Sequence, residues 1–430
     1  MITVPFIYFS ILLLFLYKRN GKKIDIACYI IGIYWISAFF GIFFDVFDLY
    51  TKDVQNYKIS VDATIVYCGL ITLCVSPFML YPSTNIVSIR KIKNTKFLKR
   101  LSWITFFYFI IYLIISLPLL YKVLTGNIGE IREDHYAGFN DESTIITNLP
   151  FVLRLPFTFF NLFLGCPWIL LFLGFYSLVI QKINFKYTIL FFVASFLGII
   201  QNIAQAGRSD TVYWLFSFGA CYVFFLPLMS NNLKAKVKKI AFMLGALFLF
   251  YLLITTISRN VDSAEGTEGG IISYAGQSYI NFCFFYDNFK CPLPSLQIIF
   301  PFLYHILGLS VGSIVDYQEA LTMMTGYELG LFYTFLGQIA VTSSNQIMII
   351  YCVFFVAISL IFIKQGHKKE FQIKYCYFYM VFSSVLFLGL FSHFYGLPSK
   401  TFSVVAFSFI FFRLKSVNNS ALNTRQKKND

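Results

Sequence analysis

Four arginines stand outside any run of basic residues, in segments that the charge pattern assigns to the outer side of a membrane. They are Arg132, Arg154, Arg208 and Arg259. A guanidinium group is a planar fork of donors that matches phosphate oxygens in pairs. Arginines near the outer ends of membrane helices are well placed to hold a lipid diphosphate whose tail stays in the bilayer. Alternatively, they reach lipid headgroups or pair with acids such as Asp210. Arg208 is the strongest candidate, because the glycine before it lets the backbone approach a ligand closely.

Histidine titrates near neutral pH, so an outer histidine is a candidate base toward a sugar hydroxyl. Three of the four histidines fall in outer segments: His135, His305 and His393. We predict His305 as the base, because it lies in an apolar stretch where partial burial would favour the neutral imidazole. For each histidine the alternative is an ordinary polar residue at the membrane interface. The rival bases are acids of the outer loops, which otherwise form a solvated surface: Glu130, Glu133, Asp134, Asp262, Glu265 and Glu268.

Apolar helices must position these residues. The 430-residue chain is 58% hydrophobic, and its apolar runs of roughly 18–22 residues are long enough to cross about 30 Å of hydrocarbon as helices. Backbone groups in lipid must bond internally, so the spans are expected to be helical. We predict an all-α polytopic membrane protein with about eleven spans. Their expected positions are 2–17, 25–44, 60–80, 101–121, 155–180, 187–205, 211–229, 240–257, 346–363, 375–391 and 401–414.

The charges sort between alternate loops. If the N-terminus is outside, 25 of the 34 Lys and Arg residues lie in inner loops, whereas 17 of the 20 Asp and Glu residues lie outside. Retention of Lys and Arg on the cytoplasmic face is the usual pattern in membrane proteins. It predicts an outer N-terminus and an inner C-terminus. It also explains the basic composition without a nucleic-acid partner.

The expected division of the chain follows these spans. Residues 1–257 would form the first eight helices, 258–345 a large outer loop, 346–414 the last three helices and 415–430 a cytoplasmic tail. Apolar runs in the large loop are typical of short helices that lie on the membrane surface or re-enter it; two additional spans are the alternative. Cys283 and Cys291 in this loop would either pair in an oxidising compartment or remain free thiols.

Several function classes are disfavoured by what the sequence lacks. No Cys and His spacing resembles a metal site, and no Walker-type phosphate loop is present. The predicted spans carry almost no ionisable side chain at mid-membrane. Carboxylates there are usual in ion-coupled carriers, so a proton- or sodium-driven transporter is disfavoured.

The segment "QNIAQAGRSDTVYW" resembles the Asn/Gly/Arg turn of Wzy-type O-antigen polymerases, also called oligosaccharide repeat unit polymerases. The stretches "SYAGQSYINF" and "YELGLFYTFLGQIAVTSS" are similar to stretches of that family, especially in Bacteroidetes-like members. The resemblance implies a bacterial inner-membrane enzyme that acts at the periplasmic face in lipopolysaccharide or capsule synthesis. It would transfer a growing glycan from undecaprenyl diphosphate onto the next lipid-linked repeat unit, with no metal or other cofactor.

The resemblance also implies roles and partners. Arg208 and Arg259 would bind the diphosphate, with Arg154 and Arg132 as further ligands, and a base in the large loop would activate the acceptor. His305 is the only histidine between the eighth and ninth spans, where that loop lies. A chain-length regulator and a flippase would be partners. O-antigen ligases share this layout, and a lipid-linked oligosaccharide flippase or transporter is the alternative from another class.

Overall fold

The chain was analysed as a computed structural model. It describes residues 1–50, 53–126, 149–204, 207–260, 266–309, 314–329, 332–368 and 371–417. Within these ranges the regular structure is helical, and the only β-type pairing consists of two isolated bridges. Six helices of the described residues are long and apolar enough to cross a membrane, or seven if one bent pair counts as a single span. The expectation of an all-α polytopic membrane protein is therefore confirmed.

Helices occupy every one of the eleven predicted segments. In chain order the α-helices are α1 Val4–Arg19, α2 Ile26–Val46, α3 Val61–Leu80, α4 Thr95–Thr125, α5 Phe151–Phe163, α6 Pro167–Tyr176, α7 Phe185–Ala194, α8 Leu197–Ala204, α9 Ser209–Phe225, α10 Asn231–Asn260, α11 Gly266–Asn288, α12 Pro301–Ile306, α13 Ile314–Thr325, α14 Thr334–Thr342, α15 Asn345–Lys368, α16 Ile373–Phe387 and α17 Pro398–Arg413. The fifth predicted segment holds α5 and α6, which bend by 65° at their junction. The sixth holds α7 and α8.

The chain forms two compact units, each made of segments that are separate in sequence. Unit 1 comprises Met1–Asn85, Asn260–Lys364 and Tyr379–Thr401. Unit 2 comprises Ile86–Arg259, Gln365–Phe378 and Phe402–Asp430. Most of the segment 258–345, which the sequence predicts to be a large outer loop, therefore belongs to the same unit as the first three helices.

In unit 1, α11 packs along α2 and α3 as part of the core. Ser37 Oγ on α2 donates a hydrogen bond to the Ala275 carbonyl at 2.8 Å, and Thr64 Oγ1 on α3 lies 2.7 Å from the Tyr279 hydroxyl. A Cβ atom on Gly276 would lie 2.6 Å from the backbone of Phe40, so glycine is required where the two helices touch. Small residues allow such close helix contacts in membranes. This helix has 23 residues, which is longer than the short helices expected in this segment.

The two loop cysteines are free thiols. Cys283 is buried on α11, and the Cys291 sulfur lies 3.7 Å from the Tyr317 hydroxyl. Of the two alternatives left open by the sequence, the structure has the unpaired one.

In unit 2, the break between α5 and α6 is closed by a residue distant in sequence. The Cys166 N–H donates to Ser403 Oγ at 3.3 Å, and the same hydroxyl donates to the Phe163 carbonyl at 2.9 Å. Aromatic packing supports this contact, with the rings of Phe163 and Phe407 centred 4.6 Å apart. Ser403 thus binds backbone groups that a continuous helix would have paired internally.

Gly276→Ala should destabilise the protein, because the added methyl group overlaps the Phe40 backbone and the two helices must separate. Overpacking of this kind costs about 1–3 kcal/mol. Gly69→Ala is the matched control, since a Cβ on Gly69 of α3 meets nothing within 4 Å. Thermal unfolding in detergent should show a lower midpoint for Gly276→Ala alone; equal midpoints would contradict the close packing of α11 on α2.

Candidate functional sites

The turn before α9 places Arg208 at a helix N-terminus. Arg208 is the N-cap residue of this 17-residue helix. The Gly207 N–H donates to the Asn202 carbonyl at 2.6 Å, and the Tyr251 hydroxyl of α10 donates to the Gly207 carbonyl at 3.0 Å. The positive end of the helix dipole adds to the guanidinium charge here, which favours an anion. Asp210, in the first turn of the same helix, competes for that favourable position.

Gly207 is fixed by its contact with Asn202. A Cβ on Gly207 would lie 2.3 Å from Asn202 Nδ2, so a larger residue would displace the turn. Asn202 is buried, and its Nδ2 donates to Ser209 Oγ at 3.3 Å. The sequence singled out this glycine for backbone approach to a ligand; the structure adds that the nearest neighbour is an asparagine side chain.

Amide and phenol groups from three helices of unit 2 meet at Asn161. The Tyr108 hydroxyl of α4 and Gln201 Nε2 of α8 both donate to Asn161 Oδ1 of α5, the latter at 3.3 Å. Amides and hydroxyls both donate and accept hydrogen bonds, as sugar hydroxyls do. Unit 2 therefore carries a guanidinium group and, in the residues that precede it, a set of neutral groups suited to a polar, uncharged ligand.

Of the four predicted arginines, only Arg154 and Arg208 have side chains within the described residues. Arg154, in the first turn of α5, is exposed, and its Nε donates to the Leu149 carbonyl at 2.8 Å. Arg259 lies near the end of α10, but its side chain is outside the described residues, as is the whole of Arg132. The rival acids fall outside the described backbone or side chains as well: Glu130, Glu133, Asp134, Asp262, Glu265 and Glu268.

The predicted base is not buried. His305 lies in the last turn of the six-residue helix α12, and its side chain is exposed. The partial burial expected from its apolar sequence neighbours is therefore absent, because this short helix leaves its flanking side chains accessible. Its role as a base stays a prediction. His135 lies outside the described residues.

His393 is the buried histidine of unit 1. It lies in the segment 388–397 between α16 and α17, and only 6% of its surface is exposed. Its Nε2 is 3.1 Å from the Tyr351 hydroxyl of α15, and its backbone N–H donates to Gln338 Oε1 of α14. Its Nδ1 is buried without a hydrogen-bond partner among the described residues. The sequence placed His393 outside but gave no sign that α14 and α15 enclose it.

The comparisons with known proteins give no match. No family model matches the sequence, and no curated protein or solved structure is significantly similar to it. Function must therefore be argued from the residues and contacts of this chain.

Gly207→Ala should destabilise unit 2 because its methyl group overlaps Asn202, at a cost of about 1–3 kcal/mol. All of the close atoms belong to the Asn202 side chain, so the cost should largely disappear in an Asn202→Ala background. Thermal unfolding of the two single variants and the double variant measures this coupling. Gly245→Ala on α10, where a Cβ meets nothing within 4 Å, is the control. Additive effects of the two substitutions would contradict the contact.

Proposed function

We propose that this protein is a polymerase of lipid-linked oligosaccharide repeat units. It transfers the growing glycan from undecaprenyl diphosphate onto the next lipid-linked repeat at the outer face of the bacterial inner membrane. The observation that supports this most strongly is the position of Arg208. It caps α9 seven residues after Gln201, whose side chain shares Asn161 Oδ1 with the Tyr108 hydroxyl. A guanidinium suits a phosphate, and neutral amides and a phenol suit sugar hydroxyls, so unit 2 offers groups for both parts of such a ligand.

The chemistry asks little of the protein beyond charge stabilisation and one base. The acceptor hydroxyl attacks the anomeric carbon, and the bond from that carbon to the diphosphate oxygen breaks. The leaving diphosphate gains negative charge, which a prepositioned guanidinium stabilises without reorganisation. Arg208 performs this role, and Arg259, Arg154 and Arg132 are further proposed ligands of the diphosphate and glycan.

We also propose that the chain crosses the membrane eleven times, with its N-terminus outside. Two facts support this topology: each of the eleven apolar segments contains helix, and the basic residues sort to alternate loops. Under it, the turn at Gly207 and Arg208 faces the periplasm.

The topology can be tested by labelling introduced cysteines with a membrane-impermeant reagent. Cysteines at positions 140 and 263 should be labelled from outside, whereas cysteines replacing Asn94 or Asn231 should not be. Asn94 and Asn231 are exposed in the structure, so poor access would not explain their protection. Labelling of Asn94→Cys from outside in intact cells would overturn the assignment.

Arg208→Lys and Arg208→Ala should both lose most polymerisation. Lysine keeps the charge but not the planar pair of donors. Removing one such stabilising contact costs on the order of 10²-fold in rate. Arg100→Lys, an exposed substitution in a predicted inner loop, is the matched control and should keep the wild-type rate. If both Arg208 variants make polymer normally at normal expression, Arg208 only anchors a lipid headgroup.

The surface glycan of a strain that lacks the protein separates this function from its alternatives. A polymerase defect leaves a single repeat unit on the surface acceptor. Loss of all surface glycan, with lipid-linked material accumulating, would instead identify an O-antigen ligase-like transferase or a flippase. The gel pattern of the glycan distinguishes the two results.

A further inference from the structure

Helix α16, which belongs to unit 1 from Tyr379 onward, ends beside the first half of α2. At its middle, the Tyr379 hydroxyl donates to the Tyr81 carbonyl at 3.2 Å, just past the C-terminus of α3. Near its end, the Leu386 carbonyl accepts a hydrogen bond from the Tyr34 hydroxyl at 3.0 Å. Tyr34 lies eight residues, or about 12 Å, after the start of α2. The helix therefore stops well before α2 does, and the chain continues as the segment 388–397, which holds no α-helix and one short 3-10 helix at Phe394–Gly396.

The backbone of this segment is paired with α14. The Phe335 N–H donates to the Gly389 carbonyl at 2.8 Å, and the Tyr333 N–H donates to the Phe391 carbonyl at 3.2 Å. Helix α14 has nine residues, all of them buried, and is too short to cross a membrane. Irregular backbone alongside membrane helices occurs where protein buries it or where it lines a cavity, and transporter binding sites use such segments. Such a segment is therefore a natural place for a site.

Backbone strain marks the same place. Thr334, the first residue of α14, is buried with a φ of 64°. A β-branched residue in the left-handed region costs on the order of 1–3 kcal/mol, and such residues cluster at functional sites. The conformation lets α14 begin directly against Gly389. A Cβ on Gly389 would lie 2.2 Å from the Val385 carbonyl oxygen and 2.8 Å from the Phe335 ring. Position 389 therefore excludes residues larger than glycine.

Between α14, α15 and the segment 388–397, one ring nitrogen of His393 is available to a ligand. Nε2 is engaged by the Tyr351 hydroxyl, whereas Nδ1 has no partner among the described residues. A buried polar atom without a partner is costly, which makes a ligand at Nδ1 favourable. When Nε2–H donates to the tyrosine oxygen, the lone pair lies on Nδ1 and that atom can accept a proton. Burial favours the neutral imidazole that does so.

An aromatic cluster includes a residue close to His393 in sequence. Tyr274, Phe332 and Phe391 form a cluster whose ring centres lie 4.7–5.2 Å apart. Phe391 is two residues before His393, and the Tyr274 and Phe332 rings are only half-buried. A partly open aromatic surface beside a hydrogen-bonding group suits a ligand with an apolar face and hydroxyl groups, as a sugar ring has.

We propose that His393, rather than His305, is the base that activates the acceptor sugar, at a site formed by α14, α15 and the segment 388–397. This inference rests on the proposed polymerase function. The acceptor hydroxyl gives its proton to Nδ1, and its oxygen forms the new bond to the anomeric carbon. The diphosphate leaves with the electron pair of the bond that breaks. Tyr351 is a positioning residue in this step: its hydroxyl accepts from Nε2–H, which leaves the lone pair on Nδ1.

Purified His393→Ala and His393→Gln test the assignment. The substrate is native lipid-linked oligosaccharide isolated from cells that lack the protein. Both variants should lower kcat by 10²-fold or more while KM and substrate binding stay near wild type. Glutamine keeps a hydrogen-bonding side chain of similar length but cannot act as a base, so a purely structural histidine would be restored by it. The sequence-based prediction makes the opposite assignment, in which His305→Ala loses activity and His393→Gln keeps it.

Tyr351→Phe tests the role of His393 independently if the His393 variants do not fold. It leaves the imidazole in place, so kcat should fall on the order of 10-fold with KM unchanged. Tyr121→Phe, an exposed position on α4, is the matched control. If the wild-type protein extends the substrate and His393→Gln or Tyr351→Phe does so equally fast, the inference is wrong while the polymerase stands. If the wild-type protein makes no extension, the proposed function fails, and this inference fails with it.

Discussion

Backbone hydrogen bonding without water is the constraint on which this structure depends. A helix in lipid pairs its own N–H and C=O groups, and wherever it breaks those groups need other partners. In unit 2, Ser403 supplies them at the break before Cys166. In unit 1, the backbone of α14 supplies them to the segment around Gly389. Each break is therefore possible only because a second part of the chain has been brought to it.

These breaks are also where the chain has polar groups available for chemistry. The turn between α8 and α9 holds Arg208, and the backbone of the preceding Gly207 is hydrogen-bonded to Asn202 and Tyr251. The segment 388–397 holds His393, with Gln338 and Tyr351 bonded to it. The long apolar helices pair their own backbone groups, so they hold the broken segments in place. The same feature that makes a break costly in lipid makes it useful for binding.

Much of the helical layout could be predicted from the sequence. The predicted span 60–80 corresponds to α3 at Val61–Leu80, and 25–44 corresponds to α2 at Ile26–Val46. Apolar length decides these elements, and it is a local property of the chain. The breaks could not be predicted in the same way. The contact between Cys166 and Ser403 joins residues 237 positions apart, and no local pattern announces it.

The candidate sites divide along the same line. The Gly-Arg turn could be proposed from the sequence, because a flexible glycine backbone and a charged guanidinium are properties of the residues themselves. The burial of the histidine side chains could not be predicted, because it depends on which distant helices enclose each residue. His305 has apolar neighbours in sequence yet is exposed, whereas His393 is covered by α14 and α15. The packing of α11 could not be predicted for a similar reason: a glycine is required at position 276 only because the Phe40 backbone lies against it.

The most direct test of the account is reconstitution of the purified wild-type protein in liposomes with native lipid-linked oligosaccharide. The account predicts glycans of two or more repeat units that remain attached to lipid, together with one released undecaprenyl diphosphate for each bond formed. Substrate that remains a single repeat unit, with no diphosphate released while the protein stays folded, would contradict it.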